Sequence, residues 1–435
     1  MRKFQLFLAF SLIINLAEAQ SIYFPPLSNT ANWDTISPAS LGWCTDKIDT
    51  LYNFLQQENT KGFILLKDGK IVLEKYFGTF TKDSLWYWAS AGKTITAFLV
   101  GTAQENGDLS ITDTSSTYLG KGWTNCSPAE ENKITIRNQL TMTSGLDDGV
   151  PDNHCTLDTC LNYLADAGTR WAYHNAPYTL MEKVLTSATK QTINKYTQSK
   201  LLSKTGMSGL WYTVDYDNVF FSKVRSMARF GLLLQNKCVW NTVTLLHDTA
   251  YINQMTNTSQ SLNNSYGYLW WLNGKASYMV PGSQIVIPGS YAPQAPADMF
   301  AGLGKNGQIV SISRSKGLVF VRMGNAPATS GEITTIFCNQ IWQKLNDITC
   351  NPVSAREINK QQSEILIYPN PSISMLNFSL PSEDNSEIEV IDMLGKSIIK
   401  AQNKCQLDIT QFQNGIYFLR IIVGNNQFTA KFIKQ

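Results

Sequence analysis

Two pairs of short apolar runs sit far apart in this chain, and together they limit the folds open to it. Phe63–Leu66 and Ile71–Leu73 flank Lys67-Asp68-Gly69-Lys70. An Asp-Gly between apolar runs signals a tight β-hairpin. Gln308–Ser313 and Leu318–Arg322 form a second pair, joined by Ser315-Lys316-Gly317. Between the pairs the apolar spacing turns helical. Ile48, Leu51, Tyr52 and Leu55 mark a helix over 45–57, just before the first hairpin. Thr94, Ala97, Phe98, Gly101 and Thr102 continue a long helix that starts near Ser90 and is stopped by Asn106-Gly107. Further helical stretches fall in 134–146, 180–185 and 224–234, and a last amphipathic one in 332–345. Early and late strands around a helical middle predict an α/β domain: a mainly antiparallel sheet flanked by helices, with a helical subdomain.

The texture changes after Cys350. Residues 351–364 are polar, contain Pro352 and read as a linker. From Ile365 onward, β-type runs (388–392, 416–423, 428–433) alternate with turns at Leu394-Gly395-Lys396 and Gln413-Asn414-Gly415. This predicts a small all-β sandwich over 365–435. At the other end, Arg2 and Lys3 precede an apolar run from Phe4 to Leu16 and the triplet Ala17-Glu18-Ala19. That is the pattern of an export signal over 1–19 and is too short to span a bilayer comfortably. A Pro-, Ser- and Asn-rich lead-in follows, and the main domain is expected over 20–350.

Export makes disulfides available to the eight cysteines. Cys155 and Cys160 can close a small loop, and Cys44 and Cys350 can staple the ends of the main domain. His154 beside that first pair is one histidine with two thiols, short of a zinc set, so no metal or cofactor is expected. The net charge of +3 is spread without a Lys/Arg cluster, giving no electrostatic basis for nucleic-acid binding.

The candidate chemistry begins at Ser90-Ala91-Gly92-Lys93. A hydroxyl needs a base to become a nucleophile, and positions i and i+3 share a helix face. A helix N-terminus also carries positive dipole. The spacing alone is weak, since Ser-x-x-Lys also occurs at Ser187, Ser313 and Ser397. Context singles out Ser90: Trp86-Tyr87-Trp88 precede it and a small-residue apolar helix follows. A second element, Tyr173-His174-Asn175, lies between Thr169-Arg170-Trp171 and a helix led by Pro177.

Ser-x-x-Lys followed by Tyr-x-Asn resembles the penicillin-recognising serine hydrolases, in particular their class C β-lactamase and esterase-like branch. Ile134–Arg137 with Leu140–Leu146, Met227–Gly231 and Tyr266–Trp271 are also similar to that family, in the same order. The resemblance spans roughly 61–345. It implies a β-lactamase/transpeptidase-like fold and an acyl-enzyme at Ser90, with Lys93 and Tyr173 as the other catalytic groups. Lys93 and Tyr173 both stay open as the general base. Ammonium groups at Lys93 and Lys305 would favour a Tyr173 phenolate. Asn175 would orient Lys93 and the substrate.

The family's third element is a Lys- or His-x-Gly on a strand lining the cleft. Lys204-Thr205-Gly206 spells it but reads as a helix C-terminus capped by glycine. Lys305-Asn306-Gly307, just before a strand, is the better match. It brings in Lys305, Gly307 and Gln308 as substrate-binding residues, with the N–H groups of Ser90 and Gln308 as the implied oxyanion hole. His174 stands where small residues are usual. Asn306 replaces a hydroxyl residue that helps bind a β-lactam carboxylate, which leaves room for an ester or amide substrate. Glu182, His154 and His247 read as surface or loop residues, and Trp270 and Trp271 as core or cleft wall.

Tyr368–Ser372, Val390–Lys396 and Asn414–Leu419 resemble the C-terminal sorting domain of type IX secretion. That resemblance implies a Bacteroidetes-type source, passage across the outer membrane with the secretion machinery as partner, and removal of the tail. Two readings of the whole follow. One is a secreted serine hydrolase acting on a small-molecule or peptide acyl substrate. The other is a catalytically silent binding protein on the same scaffold. The presence of Ser90, Lys93, Tyr173 and Lys305 together favours the first.

Overall fold

A computed structural model describes residues 22–28, 31–331, 334–350, 365–379, 386–393, 396–423 and 426–435. The expected signal segment, the linker and the Leu394-Gly395 turn lie outside these residues.

The first hairpin is β1 (Thr60–Lys67) and β2 (Lys70–Tyr76). The next strands are β3 (Trp86–Tyr87), β4 (Gly209–Val214), β5 (Asp217–Ser222) and β6 (Trp271–Leu272). The late ones are β7 (Phe300–Gly304), β8 (Gln308–Ser313) and β9 (Leu318–Gly324). The central sheet has the order β2-β1-β9-β8-β7-β6, and its neighbours are all antiparallel. The two hairpins that bracket the sequence thus pair through β1 and β9. Both β8 and β9 are buried along their whole length, as helices on both faces require.

Those helices are α1 (Ile48–Gln57), α2 (Lys93–Glu105), α3 (Asn175–Thr179), α4 (Met181–Thr189), α5 (Val224–Gln235) and α6 (Thr334–Thr349). Helices α1 and α6 pack together and cover the sheet, where the Trp342 indole donates to Ser311 Oγ at 3.0 Å. Helix α5 lies on β8, β9 and β1. It comes so close at Gly231 that a Cβ there would stand 2.5 Å from Val319 Cγ1. The stretch at 134–146 is helical only over Ile136–Leu140, entered through a Thr135–Asn138 capping box. Gly206 is the left-handed cap expected, at φ 69. Both disulfides, Cys44–Cys350 and Cys155–Cys160, are formed.

The C-terminal module has a three-stranded sheet, β10 (Ile367–Tyr368), β11 (Met375–Phe378) and β14 (Gln406–Asp408). Its four-stranded sheet joins β12 (Ser386–Asp392), β13 (Ser397–Gln402), β15 (Gly415–Val423) and β16 (Asn426–Lys434) in the order β13-β12-β15-β16. Leu376 and Phe378 from the first meet Ile388, Val390, Leu419, Ile421 and Phe432 from the second in one core.

Candidate active site

The backbone before Ser90 is fixed by strand β5. Strand β3 pairs with β5, Trp86 against Ser222 and Tyr87 against Phe221. The Trp88 amide donates to the Phe220 carbonyl at 2.8 Å, and its indole to Ser222 Oγ at 2.7 Å. Ala89 then turns into the left-handed region at φ 46. A residue with a Cβ holds such a conformation only where its surroundings impose it, and functional sites are the usual place. A single 3-10 turn, Ala89–Gly92, leads into α2 at Lys93. Ser90 is left half-buried at the helix entrance.

Lys93 is one turn along and buried. Its Nζ donates to Ser90 Oγ at 3.0 Å and to Asn175 Oδ1 at 2.9 Å. It also sits over two aromatic rings, 4.1 Å from the centroid of Tyr178 and 5.4 Å from that of Tyr173. Burial lowers its pKa to about 8, against an opposing pull from the Asp217 carboxylate. That brings the neutral amine, a proton acceptor, within reach at mildly alkaline pH.

Tyr173 stacks on Trp271, with centroids 5.9 Å apart and planes at 20°, and meets Tyr266 edge-on at 6.2 Å. Its phenol hydrogen-bonds with Ser90, which lowers its pKa, but burial dominates and pushes it up to about 12. Burial thus favours the neutral phenol of Tyr173 over the phenolate. Trp270 faces the other way from Trp271, stacking on Phe230 at 6.0 Å and packing against Phe300.

On the strand side of the cleft, Lys305-Asn306-Gly307 lies just before a strand, in the turn between β7 and β8, with Asn306 at φ 62 and Gly307 at φ 72. Lys305 is exposed at the rim. Asn306 Nδ2 donates to the Tyr87 hydroxyl at 2.8 Å. Gln308 is fully buried and braces the turn, its Nε2 donating to the carbonyls of Lys305, Asn306 and Gly324. The residue set against the nucleophile is Gly304, paired across the hairpin with Gln308. A Cβ on Gly304 would stand 2.4 Å from the Trp88 carbonyl and 3.1 Å from the Ser90 amide nitrogen. Buried Arg322 fastens the same turn, donating to the carbonyls of Asn306 (2.7 Å) and Gly307 (3.1 Å).

Several residues near Lys93 escape sequence reasoning. Tyr178 shares a helix face with Asn175 three positions earlier, and that spacing was the available signal. His154 is more than a loop residue: its Nε2 lies 3.1 Å from Asn175 Nδ2, and its Nδ1 lies 2.6 Å from Asp217 Oδ2. Asp217 is on β5, and no local pattern connects it to Tyr173 or Lys93. His174 is 2% exposed, and burial holds it neutral with a pKa of about 4. Glu182 is half-buried and accepts from Asn218. His247 is an exposed partner of Glu105.

Comparison with known proteins agrees with this architecture. A putative 6-aminohexanoate-dimer hydrolase from Bacillus anthracis superposes with a TM-score of 0.55 at 18% identity, covering 75% of this chain and 90% of that one. A putative beta-lactamase from Bacteroides dorei gives 0.54 at 16% identity, covering 70% and 98%. EstCE1, a hydrolase with promiscuous acyltransferase activity, gives 0.53 at 12% identity, covering 71% and 99%. Identities this low bear on the fold alone. No curated protein sequence matches the chain significantly. Residues 366–435 match the secretion system C-terminal sorting domain, which marks the chain for type IX export to the cell surface or beyond. The beta-lactamase family model matches residues 55–335, well over half of the 435 residues, and the chain belongs to the beta-lactamase family.

Proposed function

We propose that this protein is a secreted serine hydrolase that forms an acyl-enzyme at Ser90 and releases it to water. The observation that carries the reading is the contact between Lys93 Nζ and Ser90 Oγ at 3.0 Å, with the lysine buried and its pKa lowered to about 8. In the neutral form Lys93 takes the Ser90 proton as Oγ attacks the acyl carbon. The negative oxygen of the tetrahedral intermediate faces the Ser90 amide and the backbone where β7 runs into its turn. Tyr173, held neutral, passes a proton to the leaving group and is recharged through Lys93. A water then repeats the sequence on the acyl-enzyme, with Lys93 again the base.

The substrate class follows from what the strand side lacks. Gly302, Leu303 and Gly304, the end of β7 beside Ser90, offer neither a cation nor a hydroxyl. Lys305 is at the rim, and Asn306 is occupied with Tyr87. A carboxylate anchor of the kind a β-lactam uses has no support on that strand. An ester, or an amide without a carboxylate next to the scissile bond, fits better. Turnover of a short-chain p-nitrophenyl ester by the full chain, beside Ser90→Ala, tests this. The expected result is turnover that drops at least about a thousandfold in the alanine variant. Equal rates in both would contradict it and favour the silent scaffold.

A further inference from the structure

Behind Lys93 a line of polar contacts leaves the cleft and ends on a carboxylate. Asn175 Oδ1 accepts from Lys93, and the nitrogen of the same amide donates to Asn153 Oδ1 at 3.2 Å and lies 3.1 Å from His154 Nε2. His154 Nδ1 lies 2.6 Å from one Asp217 oxygen, and the other accepts from Thr179 Oγ1 at 3.2 Å. The loop is tied down: the Ala176 amide donates to the Asn153 carbonyl at 2.9 Å, and Cys155 is bridged to Cys160. Proton transfer between Ser90, Lys93 and Tyr173 requires neither a histidine nor a further acid, so the pair has a role of its own.

The donor and acceptor roles follow one from the next. An amide nitrogen only donates, so His154 Nε2 accepts with its lone pair. A neutral imidazole with a free Nε2 carries its proton on Nδ1, the atom that faces Asp217. The carboxylate thereby fixes the tautomer, the tautomer fixes the amide, and the amide presents oxygen to Lys93. The reversed amide would set a nitrogen donor against an ammonium.

Other groups also face the imidazole. Asp217 comes from β5 with Thr179 of α3 behind it, and Asn175 comes from the start of α3. On its own loop are Asn153 and Asp152, whose carboxylate accepts from the His154 amide at 2.9 Å. Lys93 on α2 is the cation whose field reaches Asp217. The Asp217 charge acts back on Lys93 and Tyr173, favouring the protonated form of both.

We infer that His154 and Asp217 are positioning residues that lock the Asn175 amide, so that its oxygen holds Lys93 against Ser90. The inference rests on the serine–lysine reading above.

The test is the rate of covalent labelling of Ser90 in the full chain by a fluorophosphonate, read by intact mass across about pH 5 to 9. His154→Ala is expected to label roughly tenfold more slowly at alkaline pH, about the worth of one hydrogen bond. His154→Gln, which keeps an acceptor for the Asn175 amide, should recover most of that rate. Asp217→Asn should slow labelling and move the rising limb to lower pH, because the charge that holds the Lys93 proton is gone. Labelling of His154→Ala at the wild-type rate would overturn the inference alone. So would equal impairment of the Ala and Gln variants, the mark of a merely structural role. A wild-type protein that never labels at Ser90 would overturn the hydrolase reading, and the inference with it.

Discussion

The two walls of the cleft work by different means. The helical wall acts through side chains: Ser90 and Lys93 on one face at the start of α2, and Tyr173 and Asn175 around the start of α3, with Lys93 bridging Ser90 and Asn175. The strand wall acts through backbone and the absence of side chains, for Gly304 is the residue against Ser90 and a methyl group would not fit there. Side-chain chemistry at short spacing leaves a readable trace in a sequence. A bare strand edge leaves almost none.

The largest effect should come from the helical wall. Lys93→Met removes the base with similar volume and is expected to lower kcat/KM by about two to four orders of magnitude. The wild-type profile should rise with pH and level off above about 8, since only the deprotonated amine accepts the Ser90 proton. The variant should show no such limb. A profile in Lys93→Met that still bends near there would move the base to another group.

Next comes the strand wall. Gly304→Ala puts a methyl 2.4 Å from the Trp88 carbonyl, so the nucleophile's turn must shift. A loss in kcat of about tenfold to a hundredfold is expected, as for a displacement of roughly an ångström, with circular dichroism unchanged. Wild-type kcat in this variant would show that β7 does not set the serine. The smallest effect belongs to Lys305→Ala. Exposed at the rim, Lys305 should change KM by less than about fivefold for a neutral ester, the scale of a weak exposed contact. A loss in kcat as large as that from Lys93→Met would return Lys305 to the catalytic centre.

The contrast between the walls also explains what could be read without coordinates. Four of the six strands of the central sheet were legible because Asp68-Gly69 and Lys316-Gly317 punctuate unbroken apolar runs, while Trp271–Leu272 and Phe300–Gly304 went unread. The Ser90–Lys93–Tyr173–Asn175 cluster was legible because a helix makes i and i+3 neighbours and because the order of motifs matches a family. Lys305-Asn306-Gly307 was read as lying just before a strand, and it is the turn that leads into β8. Asn-Gly is itself a turn dipeptide, and both residues do take positive φ. His154 and Asp217 were missed. Sixty-three positions separate them in sequence, and their contact exists only once the β4–β5 hairpin is laid against the Asn153–Cys160 loop. The β4–β5 hairpin itself went unread, because its turn at Asp215-Tyr216 carries no glycine or proline.

The central claim is that Ser90 becomes covalently acylated. Its most direct measurement is the mass of the full chain quenched during turnover of a p-nitrophenyl ester, followed by peptide mapping of the adduct. The expected result is a mass gain of one acyl group on the peptide containing Ser90, absent in Ser90→Ala. Turnover with no adduct on that peptide, or an adduct that persists in Ser90→Ala, would contradict it.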